Sequence, residues 1–215
     1  MKHYLDAGTT YSKIITIDDS GNKKYEILPS KNVRESGMTF EKTCGHMDFK
    51  GKSSENEIVA LANGCKGKVD KNAVVLDLGS RDAKWIRFKN SKFADMDWNT
   101  SCASSTGATI EMLLKFYDVC AEDLVLTDEK FPVTCGIFGL EKIMDDISKG
   151  ESVSKSISKF VHGIAYNAWT FAQKPEKIYL SGGFCENECF VNSLKKYCDV
   201  ELFGRFILCE GLINE

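Results

Sequence analysis

Leu5-Asp6-Ala7-Gly8-Thr9 and, 71 residues further on, Leu76-Asp77-Leu78-Gly79-Ser80 are two copies of one pattern. Each is an apolar run, an aspartate, a glycine turn and a hydroxyl residue. Under the same shift Lys13 falls on Lys84 and Ile15 on Ile86, so a second apolar run follows each turn. A glycine in a tight turn lets backbone N–H groups approach phosphate oxygens with no Cβ in the way. The neighbouring hydroxyls add donors, and Lys13 supplies a point charge. The two aspartates suit Mg²⁺ with its waters, or the orientation of an attacking water. One copy alone is an ordinary glycine-turn hairpin with a buried Asp. Two matched copies point to hairpins that face each other and grip a triphosphate from both sides.

Around these copies the chain alternates strands and helices. Tyr4–Asp6 and Ser12–Asp18 are expected strands joined by Gly8-Thr9-Thr10, and Lys24–Leu28 follows the Asp19-Ser20-Gly21-Asn22 turn. Residues 29–53 are polar and glycine-punctuated and predict irregular structure. A short helix is expected from Glu55 to Asn63, stopped by Gly64, and Gly64–Asn72 marks a lobe boundary. Further strands are expected over Ala73–Leu78, Ala83–Phe88 and Phe93–Trp98. Helical faces follow: Ile110, Leu113, Leu114 and Tyr117; then Leu140, Ile143, Met144 and Ile147; then Ile157, Phe160, Val161, Ile164, Ala168 and Trp169. A buried strand, Lys177–Leu180, leads into Ser181-Gly182-Gly183. A helix near Asn187–Tyr197 and a strand near Val200–Phe203 close the chain. Strands before helices, twice over, predict an α/β protein of two lobes, 1–72 and 73–215.

Composition sets the outer limits. With 215 residues and 43% hydrophobic content the chain can bury a real core, and a net charge of −3 with scattered basic residues excludes a nucleic-acid footprint. Asp6 arrives too early for a signal peptide, and no stretch is long enough to span a membrane, so a cytoplasmic protein is expected. Nine cysteines form an odd set in a chain too long for a disulfide scaffold. Cys185, Cys189, Cys198 and Cys209 lack a zinc spacing and are expected to be plain thiols. His3, His46 and His162 have no partner at ligand spacing and are expected to be structural.

The internal duplication is that expected of the actin-like ATPase fold, in which two ribonuclease-H-like lobes enclose a nucleotide. Ile178-Tyr179-Leu180-Ser181-Gly182-Gly183-Phe184 resembles the adenosine motif of that superfamily. Cys102, in Ser101-Cys102-Ala103-Ser104-Ser105-Thr106-Gly107, and Cys135, in Thr134-Cys135-Gly136, each precede a predicted helix. A helix N-terminus favours a thiolate or an anionic cluster. Two cysteines are half of the usual four-thiolate iron–sulfur set, and a two-fold dimer would complete it.

In this order the motifs resemble the activator ATPases of 2-hydroxyacyl-CoA dehydratases and the related ATPase subunits of benzoyl-CoA reductase. The resemblance spans nearly the whole chain and includes Asp6-Ala7-Gly8-Thr9-Thr10, Asp77 to Lys84, both cysteine segments, Ser148-Lys149-Gly150 and Ser181-Gly182-Gly183. It implies a homodimer in which Cys102 and Cys135 of two subunits hold one 4Fe–4S cluster. ATP hydrolysis would then drive a low-potential electron into a partner enzyme, an acyl-CoA dehydratase or reductase. Nucleotide contacts would fall to Gly8, Thr9, Thr10, Lys13, Gly79, Ser80, Gly107, Ser181, Gly182 and Gly183. Asp6, Asp77 and Asp82 would be catalytic, with Asp6 and Asp77 holding Mg²⁺.

The chain departs from the family pattern in several places. Gly79-Ser80-Arg81-Asp82 stands for Gly-Gly-Gln-Asp, Ser101 replaces a lysine, and Ser105 and Ala108 replace a glycine and an arginine. Gly139-Leu140-Glu141-Lys142 replaces Ala-Glu-Ser-Glu, and the usual C-terminal Gly/Ala-rich helix is not apparent after Phe203. Two other functions fit the same nucleotide fold. One is a small-molecule kinase with Asp77 or Asp82 as base; the other is a nucleotide sensor that passes no electrons.

Overall fold

The computed structural model describes residues 1–49, 51–99, 106–133 and 136–213, with the side chain of residue 137 left aside. Cys102 and Cys135 therefore lie outside the described residues.

The first half opens as a meander. Strands β1 (Lys2–Ala7), β2 (Tyr11–Ile17) and β3 (Lys23–Pro29) lead to helix α1 (Ser30–Glu35), strands β4 (Phe40–Gly45) and β5 (Gly51–Ser54), and helix α2 (Glu57–Cys65). The second half repeats it with β6 (Ala73–Leu78), β7 (Ala83–Lys89) and β8 (Lys92–Asn99), followed by α3 (Gly107–Tyr117), α4 (Gly136–Ser148) and α5 (Val153–Phe171). Strand β9 (Lys177–Gly182), α6 (Glu188–Leu194), β10 (Asp199–Gly204) and α7 (Ile207–Ile213) complete it.

The two five-stranded sheets have one topology. Their orders are β3-β2-β1-β4-β5 and β10-β9-β6-β7-β8, which match when the second is read from its other end. The first three strands of each are antiparallel, and β4 and β9 join β1 and β6 in parallel. The repeat extends to residue register, with Asp6 opposite Lys13 and Asp77 opposite Lys84. Strand β6 is buried along its whole length, as its unbroken Ala-Val-Val-Leu run requires of a strand covered on both faces.

Three apolar clusters hold the molecule. Leu5, Ala7, Ile14, Val33 and Phe40 form a small core around the first sheet and α1. A large one packs α3, α5 and α6 against one face of the second sheet, through Leu76, Trp85, Phe160, Val161 and Phe190. Between the sheets, α2 and α7 pack through Leu61, Ile207 and Leu208 against Val75, Ile86 and Tyr179. These two helices meet with almost no side chain between them. A Cβ on Gly211 would stand 1.7 Å from the carbonyl of Ala60, and one on Gly64 would stand 2.1 Å from that of Ile207. No helix among the described residues is long and apolar enough to cross a membrane.

Several expectations need correction. Residues 29–53 are not irregular but contain α1, β4 and β5. Strand β4 sits inside the sheet between β1 and β5, and the polar Glu41, Lys42 and Thr43 hide it from a hydrophobic pattern. Gly64 does not stop α2, which runs on to Cys65, because its missing side chain is what admits α7. Met144 leaves the face of Ile143 and is 51% exposed. The chain does not close on β10, because α7 follows it and supplies the glycine contact with α2.

Candidate functional site

The C-terminal ends of β1 and β6 bring the two glycine turns to one cleft. Asp6, Gly8, Thr9, Thr10 and Lys13 line it from the first sheet; Asp77, Gly79, Ser80, Asp82 and Lys84 line it from the second. The turns touch directly, Thr10 Oγ1 donating to Ser80 Oγ at 3.0 Å. Gly107 and Gly183 also line the cleft, beside Ile110, Leu114 and Phe184.

Each turn is held from behind. In the first, Ser30 Oγ donates to the Gly8 carbonyl at 2.6 Å and Ser30 N to that of Thr10 at 3.0 Å. A Cβ on Gly8 would stand 2.4 Å from the Tyr11 carbonyl, so this turn admits no side chain. In the second, Thr106 Oγ1 and Ala108 N both donate to the Ser80 carbonyl, at 2.6 and 2.9 Å. The start of α3 is thereby tied to the second turn. Of the adenosine-like segment, Ser181 lies beneath the cleft and donates to Asp77 Oδ1 at 3.1 Å. Gly182 has φ +93°, and a Cβ there would meet the Leu78 carbonyl at 2.2 Å.

The electrostatics of the two halves differ. Lys13 pairs with Asp6 Oδ2 at 2.9 Å, its side chain 15% exposed. Burial alone would lower the Lys13 pKa, but the nearby Asp6 carboxylate outweighs it and the net shift is upward. Lys84 is 3% exposed and lies within 3.3 Å of Asp82, 3.7 Å of Asp77 and in hydrogen-bond contact with Glu57. Burial opposes its charge too, and the three carboxylates more than restore it, so its pKa is also raised. The carboxylates pay a corresponding cost: burial raises the pKa of Asp77 and of Glu57, against the pull of Lys84.

Several groups in this cleft are invisible to motif reasoning. Glu57, at the start of α2, links His46 to Lys84, its Oε1 lying 3.0 Å from His46 Nδ1. His46 is thus a cleft residue rather than a remote structural one, with Gly45 (φ +107°) turning the chain out of β4 just before it. Trp98 Nε1 donates to Asp82 Oδ2 at 2.5 Å and shares a T-shaped contact with His46. His46, Glu57 and Asp82 place three ligand atoms within 4.8 Å of one another. Lys84 already supplies positive charge to two of the three. Arg81, Arg205 and Tyr11 complete the rim. The one signal that could have found Glu57 is its position directly after Asn56, an N-cap accepting from Ile58 N at 2.8 Å.

Four buried carboxylates, Asp6, Glu57, Asp77 and Asp82, thus face two lysines. That surplus of negative charge, beside two glycine turns, fits a divalent cation carried by an anionic ligand, although the Gly79 N–H is used within its own turn, donating to the Asp82 carbonyl at 3.0 Å. Cys44, Cys65, Cys120, Cys185, Cys189, Cys198 and Cys209 are free thiols, and burial pushes Cys65 and Cys185 up to about 12.

Comparison with known proteins agrees with this geometry. No family model matches the chain. It is 21% identical to the (R)-2-hydroxyglutaryl-CoA dehydratase activating ATPase of Acidaminococcus fermentans, over 92% of this chain and 88% of that protein. It is 22% identical to the activator of lactoyl-CoA dehydratase of Anaerotignum propionicum, over 80% of this chain and 71% of the relative. The solved activator of 2-hydroxyisocaproyl-CoA dehydratase from Clostridium difficile, with bound ADPNP, superposes with a TM-score of 0.82 at 16% identity, covering 98% of this chain and 92% of that one. The A. fermentans component A superposes at 0.78, with 17% identity, over 98% of this chain and 95% of that one. The curated homologues are activators of 2-hydroxyacyl-CoA dehydratases, and the fold is the actin-like ATPase fold.

Proposed function

We propose that this relative of the dehydratase activators binds MgATP in the cleft and hydrolyses it to drive an electron into an acyl-CoA dehydratase or reductase. The observation that carries this is the cross-cleft pair of glycine turns, each backed by an aspartate and a lysine in the same register. Backbone N–H groups of Gly8–Thr10 and of Ser80 would cradle the phosphates, with Gly79 giving them a close approach and Lys13 as their charge partner. Asp6 and Asp77 would hold the hydrated Mg²⁺, which supplies charge neutralisation at the phosphates when bound. Asp82 and Glu57, fixed by Lys84, Trp98 and His46, would orient the attacking water. Gly107 and Gly183 would shape the adenosine side with Phe184 and Ile110, while Ser181 and Gly182, which do not line the cleft, would support it from behind.

The moving parts would be the two lobes, divided near residue 72, with α7 crossing back to the first. Because α3 hangs on the Ser80 carbonyl, a shift of the second turn reaches the chain just after Cys102. Cys102 and Cys135 would be the protein's ligands to one 4Fe–4S cluster across a homodimer, and that cluster would supply the electron. The seven cysteines of the described residues are all free thiols, which suits the reducing cytoplasm where we place the protein. A small-molecule kinase with Asp77 or Asp82 as base would not need Cys102 or Cys135, so substitution of either cysteine separates it from the electron donor.

The test is ATP turnover together with iron and sulfide content on protein purified without oxygen. We expect a dimer with one 4Fe–4S cluster, lost in Cys102→Ser or Cys135→Ser, and ATP hydrolysis abolished by Asp77→Asn. Iron-free protein after attempted cluster reconstitution, with nucleotide still bound, would overturn the electron-donor function.

A further inference from the structure

Helix α7 delivers one side chain to the floor of the first glycine turn. Cys209 is fully buried and lies at the seam between β1 and β2. The backbone N–H of Asp6 donates to its sulfur at 3.1 Å, and the thiol in turn lies 3.0 Å from the Lys13 carbonyl, to which it donates. These are the two residues whose side chains form the 2.9 Å ion pair at the cleft. Two residues on, Gly211 seats α7 directly against the Ala60 carbonyl of α2, which anchors the helix that carries the sulfur. The thiol thus serves as acceptor and donor together, taking the Asp6 N–H and giving its own proton to the Lys13 carbonyl. Among the described residues the second half shows no such thiol, and the side chains of Asp77 and Lys84 are held by Ser181, Glu57 and Asp82.

We propose that Cys209 is a positioning residue for the Asp6–Lys13 pair, setting the spacing of the two side chains through hydrogen bonds to both of their backbones. The inference deepens the ATPase reading, on which its catalytic consequence rests. It also makes α7, an element from the far end of the chain, part of the phosphate site. A small misplacement of groups that must meet a phosphate and its metal is costly even when the protein folds normally.

Three substitutions separate positioning from packing. Cys209→Val removes both hydrogen bonds and overfills the site by about one methyl group, Cys209→Ala removes both and opens space, and Cys209→Ser keeps a donor and acceptor. We would measure kcat and KM for ATP, the melting temperature, and amide hydrogen exchange at Asp6. We expect kcat to fall by about 10-fold or more in the Val and Ala variants, with KM changing by less than about 3-fold. Asp6 exchange should quicken by a similar factor in both, and Cys209→Ser should recover most of each loss. Wild-type kcat and wild-type Asp6 exchange in Cys209→Val would overturn the proposal. So would equal losses in all three variants that simply track melting temperature. If the wild type hydrolyses no ATP, the nucleotide function fails on its own, and Asp6 exchange still decides whether the thiol holds the pair.

Discussion

The pairs Asp6–Lys13 and Asp77–Lys84 occupy the same register on the same topology, yet they are different devices. Lys13 meets one carboxylate and keeps part of its surface open to the cleft. Lys84 is sealed against three. A buried cation among three carboxylates is held by their combined attraction, so its ammonium is not available to an incoming phosphate. Duplication preserved the backbone and the residue types, and the surroundings divided the labour. The first lysine can serve the ligand; the second organises the carboxylates that face it.

This contrast can be broken by substitution. The largest effect should come from Lys84→Met, which strands Glu57, Asp77 and Asp82 in a buried site. Removing one partner of a buried ion pair typically costs about 3–5 kcal/mol. Denaturant unfolding should show a loss in that range, and a change below about 1 kcal/mol would mean that the carboxylates find other partners. Lys13→Ala should do the reverse. ATP turnover should fall by about 10²–10³-fold, as for other single donors to a developing oxyanion. Its stability loss should be less than half that of Lys84→Met. Equal stability losses would erase the distinction between the halves.

Trp98→Phe sharpens the comparison on the second side. It removes the indole donor from Asp82 while leaving a ring against His46, and should cost about 1–3 kcal/mol for a hydrogen bond to a charged group. Thermal melts of the variant, with and without nucleotide, would read it.

The smallest effect concerns pH. Asp77 and Glu57 have raised pKa values, so the native state takes up protons more readily there and acidification does not weaken the fold through them. His162 has the opposite sense. Burial first, then the Lys196 and Lys130 charges, lower its pKa despite the Glu129 carbonyl and the Asp128 charge. Its ring makes contacts of 2.9 Å with the Glu129 carbonyl and 2.8 Å with the Tyr197 hydroxyl. A neutral native imidazole means that the unfolded chain binds the proton first. Stability should therefore fall as pH drops below about 6.5, the ordinary histidine value. Melting curves between pH 7.5 and 5.5 should show this loss, and His162→Gln should flatten it.

The legible parts of the molecule were those with a short-range cause. Strands β1, β2, β6 and β7, the helical stripes of α3 and α5, and the glycine turns all follow from residues that neighbour one another in sequence. The parts that escaped have a different origin. Strand β4 carries polar side chains into a sheet interior, where Lys42 is matched by Glu55 at 3.3 Å. Helix α7 offers only seven residues, too few for a periodicity to show.

What the sequence determined by itself was the repeated Asp–glycine–hydroxyl turn, the lysine after it, and hence the actin-like fold with its two matched sheets. Only the tertiary structure decided which lysine meets one carboxylate and which meets three, that His46 and Glu57 join Asp82, and that Cys209 lies beneath Asp6. The reason is physical. A turn or an amphipathic face is set by steric and solvation preferences within a few residues. The charge state and freedom of a buried side chain depend on every group brought within a few ångströms, whatever its distance along the chain.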